Sequence, residues 1–148
     1  MEESEFWDLI GELDWNKAGD DEAVCEPLVS ALAGKSTDAI GAFHERLAQK
    51  LHALDTEAHA RQIGEDAYVG PDEHFSADWF LYVRCCAVAN GRKVFDTVIE
   101  DPSQMPEDME FEALLEVAAT AYKRKTGDEF DSDASVSYET FSNKDGWS

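Results

Sequence analysis

Arg84 makes the strictest chemical demand in this chain. It is the one charged side chain between Asp78 and Arg92, inside a run from Trp79 to Val88 that is otherwise almost wholly apolar. A guanidinium taken out of water has to be paired or strongly hydrogen-bonded. Two arrangements meet that demand. One is an internal ion pair with a carboxylate from another helix. The other is an anion-binding arginine beside the Tyr68 to His74 loop, which gives a candidate ligand-binding set of Arg84, Tyr68, His74 and Asp78.

The remaining chemistry-bearing residues match known motifs only in part. His44, His52, His59 and His74 are scattered, and His44-Glu45 lacks the second histidine of a zinc-binding HExxH because Ala48 stands there. No metal site and no cofactor are predicted. Gly34-Lys35-Ser36 resembles the end of a phosphate-binding loop, but Val29 occupies the place of its leading glycine and the preceding segment reads as helix. Asp131-x-Asp133-x-Ser135 resembles the opening of a calcium loop, yet Val136 stands where the turn needs glycine and Ser142 where it needs a bidentate glutamate. Cys85 and Cys86 adjoin in apolar surroundings, where thiols keep their protons. With Cys25 they make an odd number and no CxxC pair, which points to a reducing compartment. No serine nucleophile elbow, dinucleotide fingerprint or kinase set appears, so the chain leans away from enzymes.

Charge is the other strong signal. Twelve Lys and Arg against 33 Asp and Glu leave a net charge of −21, which repels nucleic-acid phosphates and anionic membrane surfaces. Residues 1–27 hold ten acids and one base, Lys17. An acidic face led by Asp20, Asp21 and Glu22 steers a basic protein at long range, although acids at a helix start also complement its dipole. The leading functional expectation is a non-enzymatic interaction or regulatory module that binds a basic protein partner. The alternative is a small-molecule or anion-binding enzyme with its site at Arg84 and the Tyr68–His74 loop. Four acids among the first eight residues leave no basic leader, and no apolar run reaches the ~20 residues of a membrane span. A cytoplasmic location follows as an expectation.

Helices must position these residues. Phe6, Leu9, Ile10 and Leu13 share one helical face, with Ser4 as N-cap. A second helix starts near Asp20 and runs to Leu32, and Pro27 inside it means either that the true start is nearer Glu26, with Pro27 in the first turn, or that the helix is kinked there. Ser36 or Thr37 caps a third, striped by Ile40, Phe43, Leu47, Leu51 and Leu54. A short helix from Asp55 or Thr56 through Ala67 precedes a turn at Gly70-Pro71-Asp72. The Ser76–Asn90 segment is apolar all round and belongs at the centre of the fold. A short helix follows over Arg92 to Ile99. The last helix runs from Phe111 to Tyr122, with Lys123–Arg124–Lys125 at its end and Gly127 closing it.

The reading is an all-α domain of roughly six helices over residues 1–126, followed by an acidic tail at 127–148 that is irregular or forms a short strand pair. Phe6-Trp7-x-Leu9-Ile10, Ser76-x-Asp78-x-Phe80 leading to Arg84, Gly91-Arg92-x-x-Phe95 and Asp101-Pro102 occur in an order that resembles the bacterial family called Domain of Unknown Function 4240. The resemblance runs from Phe6 to about Tyr122. Ala77 stands where that family's pattern has an acid, Val83 where it has Phe before the arginine, and Cys86 where it has Trp. The resemblance supports the helical fold and brings no activity, cofactor or catalytic residue with it.

Overall fold

Spacing of apolar residues and a handful of caps account for most of the architecture. The computed structural model describes residues 1–147, so Ser148, the last residue of the predicted tail, lies outside the described part. Among the described residues seven α-helices form: α1 Glu3–Ile10, α2 Asp21–Ala33, α3 Thr37–Ala53, α4 Glu57–Ala60, α5 Ala77–Ala89, α6 Arg92–Glu100 and α7 Val117–Thr126. No strand forms among the described residues, so the strand pair considered for the tail is absent there. No helix among them is long and apolar enough to cross a membrane. The chain divides into two compact units, residues 1–47 with 113–135, and residues 48–112 with those from 136 onward.

In the first unit α2 lies against α1, α7 and a 3₁₀ turn at Trp15–Lys17. Phe6, Ile10, Val24, Leu28, Leu32, Ile40 and Phe43 are buried in it, and the Phe6 and Phe43 rings meet at 5.2 Å. Each buried aliphatic or aromatic side chain here contributes roughly 1.5–3 kcal/mol. The α1 N-cap is Glu2 rather than Ser4; its side chain makes no cap bond, and Arg46 instead holds the Met1 carbonyl at 2.8 Å and Glu3 at 3.2 Å. Asp20 caps α2 by accepting from the Ala23 N–H at 3.1 Å. Helix α2 continues through Pro27 from Asp21 to Ala33, because Val24, Cys25, Leu28 and Val29 are buried on both sides of it and offset the lost backbone bond.

The last helix starts later than its periodicity predicts. Phe111 donates its N–H to the Tyr82 carbonyl, and the Glu110 carboxylate takes the Glu112 N–H at 2.7 Å. Side-chain and long-range partners thus replace α-helical ones, and residues 112–116 wind as 3₁₀ before α7 begins at Val117. Gly127 closes α7 at φ +82, a left-handed conformation that favours glycine.

In the second unit Ser76 caps α5 through the Trp79 N–H, and Phe80, Leu81 and all residues from Val83 to Ala89 are buried. The predicted 55–67 helix shrinks to the single turn α4, capped by Thr56. His59 is buried there, 2.9 Å from the Val98 carbonyl through Nε2 and 2.6 Å from the Thr56 hydroxyl through Nδ1. The carbonyl requires a proton on Nε2, which leaves Nδ1 to accept from Thr56.

Burial holds His59 below the ordinary imidazole pKa, against the opposing effect of the Val98 hydrogen bond, and burial does the same to His44. The unfolded chain therefore binds more protons as pH falls below about 6.5, and stability is lost in that direction. Relief of like-charge repulsion among the acids acts with the opposite sign. The expected outcome is that His59→Gln loses less stability than the parent between about pH 7.5 and 5.5, read from urea midpoints at each pH.

Candidate functional site

Arg84 is fully buried on α5. Its Nη1 donates to the carbonyls of Leu51 at 2.8 Å and Tyr138 at 2.9 Å, and Nη2 donates to the Thr140 hydroxyl at 2.9 Å. The Thr140 hydroxyl in turn donates to the Ala77 carbonyl at 2.8 Å. The guanidinium lies 4.6 Å from the Phe80 ring centre, and Nε is buried without a hydrogen-bond partner. The predicted ion pair with a carboxylate from another helix is thus replaced by hydrogen bonds to main chain and hydroxyl. Burial lowers the Arg84 pKa to about 10, and the charge of Asp55 opposes that shift. The side chain stays cationic at neutral pH.

Asp55, in the α3–α4 connection, is the other fully buried charge of this unit. Its carboxylate accepts from the backbone N–H groups of Phe141, Ser142 and Asn143 at 3.1, 2.9 and 3.0 Å and from the Trp147 indole at 2.8 Å. Phe141 adopts φ +75, which bends three successive N–H groups around one anion. Gly146 passes so close that a Cβ there would stand 2.8 Å from the Asp55 carbonyl oxygen. From sequence Asp55 is no more than a candidate start for the short helix that follows. Nothing in its neighbours Leu54 and Thr56 marks a buried anion.

Of the other residues grouped with Arg84 from sequence, Tyr68 is half-buried, edge-on to Phe75 at 5.3 Å and to Trp147 at 5.2 Å. His74 and Asp78 are exposed. An anion reaching the guanidinium would have to displace Tyr138 and Thr140.

The first unit carries a different feature. A groove of about 340 Å³ runs along α2 and α7. Cys25, Val29 and Val117 form its buried floor, while Asp21, Glu22 and Glu26 on one side and Glu116 on the other present exposed carboxylates. Arg124 closes one end and grips Glu26 with two bonds, 2.6 Å and 3.0 Å, which hold the Glu26 pKa below the usual carboxylate range. An adjoining hollow is lined by Asp20, Glu22, Ala23 and Glu26. The three acids singled out from sequence therefore sit together at the start of α2, Asp21 and Glu22 in its first turn and Asp20 as its cap.

The partial motifs are used locally. Ser36 caps α3 through Ala39, and Lys35 pairs with Glu5 at 3.4 Å. Ser135 donates both its N–H and its hydroxyl to Glu45. Among the described residues no cluster of three or more His, Cys, Asp or Glu is placed to hold a metal. Burial raises the pKa of all three thiols, Cys25 to about 11.

A family model described as "Protein of unknown function (DUF4240)" matches residues 1–124. No curated protein and no solved structure matches the chain.

Two outcomes follow. Arg84→Lys keeps the charge but loses the planar fork that reaches three acceptors at once, and is expected to cost about 2–4 kcal/mol in chemical denaturation. A thiol-reactive chromogenic disulfide at neutral pH is expected to titrate none of the three cysteines in the folded chain and all three after denaturation.

Proposed function

The chain belongs to the DUF4240 family, and we propose that it acts as a non-enzymatic interaction module that docks a basic segment of a protein partner in the α2–α7 groove. The observation that carries this reading is the carboxylate rim of Asp21, Glu22, Glu26 and Glu116 standing over an apolar floor of Cys25, Val29 and Val117. Arginine and lysine are the side chains suited to such a groove, because their aliphatic stems lie on apolar surface while their heads reach carboxylates. Arg124 on Glu26 already displays that geometry within the chain.

The net charge of −21 supports the same reading. It raises the encounter rate with a basic partner at low salt and disfavours acidic ones. Exposed charge pairs are individually weak, so affinity rests on several acting together with the apolar floor.

A fluorescently labelled peptide alternating Arg and Leu tests the reading by anisotropy. Glu22→Gln with Glu116→Gln is expected to weaken binding about tenfold, with helical circular dichroism unchanged. Raising salt from about 0.1 to 0.5 M is expected to weaken it further. The control pair Asp72→Asn and Glu73→Gln, exposed acids of the other unit, is expected to leave binding as it was. Equal losses from both pairs would mean that the charge acts diffusely and that the groove is not the site.

A further inference from the structure

The family match ends at residue 124, and both buried charges of the second unit lie inside the matched part while most of their partners lie beyond it. Every hydrogen bond to the Asp55 carboxylate described above comes from residues 141–147, and two of the three acceptors around Arg84 are Tyr138 and Thr140. The Trp147 ring stands among Tyr68 at 5.2 Å, Phe80 at 6.2 Å and Phe141 at 4.5 Å, with Phe75 at 6.4 Å.

Proteins hold bound peptides in this way. Successive main-chain N–H groups meet one carboxylate, a main-chain carbonyl meets a guanidinium, and one large aromatic anchors in an aromatic wall. The segment has no helix or strand of its own beyond a 3₁₀ turn at Lys144–Gly146, so its conformation comes from what it lies on. Ser137, Glu139, Phe141, Lys144 and Asp145 remain exposed along it. It has the profile of an occupant.

We propose that Arg84, Asp55 and the wall of Tyr68, Phe75 and Phe80 form a peptide-binding cleft, and that residues 138–147 fill it as a releasable ligand that exchanges with the same segment of a second copy of this chain. The tether gives the chain's own segment a high effective concentration, so exchange in trans emerges once the tether is cut or the free segment is in excess. This site lies wholly in the second unit, and its test is independent of the α2–α7 groove.

The chain carrying a protease recognition sequence between Ser132 and Asp133 is cleaved while folded, and a labelled synthetic peptide of residues 136–148 is then added in excess. The severed fragment is expected to co-elute with the rest of the protein on gel filtration. The labelled peptide is expected to displace it saturably, with the helical circular dichroism signal unchanged. Peptide variants keep the protein itself intact: Trp147→Ala is expected to bind at least about tenfold more weakly. Thr140→Val, which loses the bond to Nη2, should weaken binding by roughly several-fold. If the fragment leaves only when the rest of the protein unfolds, the segment is an integral part of the fold and the proposal is overturned. Loss of the fragment on cleavage with no binding of the labelled peptide overturns it equally.

Discussion

Burying a carboxylate and a guanidinium in one small unit imposes a debt in solvation that the surrounding chain has to meet, since each ion loses several kcal/mol of hydration after relaxation. Asp55 and Arg84 meet it with hydrogen bonds, and most of those come from residues 138–147. That is why a segment whose regular structure amounts to one 3₁₀ turn at Lys144–Gly146 has a defined path. Its polar main chain replaces the water that the two charges gave up. The rings of Tyr68, Phe75, Phe80 and Trp147 then keep the surroundings apolar, which strengthens each of those bonds.

In the first unit the same economy works through a helix with two faces. Val24, Leu28 and Leu32 of α2 are buried, while Asp21, Glu22 and Glu26 stay in water. The acids stabilise the positive end of the α2 dipole and at the same time concentrate negative charge along the groove beside α7. A local structural role and a long-range recognition role therefore coincide in the same side chains. Arg124, near the negative end of α7, completes the pattern by gripping Glu26.

Burial fixes the protonation of several groups here. The three thiols are pushed towards the protonated form, and His59 is committed to Thr56 and Val98.

The sequence by itself determined the helical class, because the i, i+3, i+4 spacing of Phe6, Leu9 and Ile10 or of Ile40, Phe43 and Leu47 fixes which face is buried whatever it is buried against. It also placed the start of α2 near Asp20, a cap of α3 at Ser36 or Thr37, the start of α5 near Ser76 and the Gly127 stop, since each signal acts on backbone groups within a few residues. It showed that Arg84 would be buried and demanding. Only the tertiary structure decided who answers that demand, for Tyr138 and Thr140 are more than fifty residues away. Asp55 looked like any helix-capping acid, and the late start of α7 depends on the Tyr82 carbonyl and Glu110. Local periodicity records what a residue prefers, whereas a buried charge is satisfied by whichever main chain the fold brings within 3 Å, and that choice leaves no periodic trace.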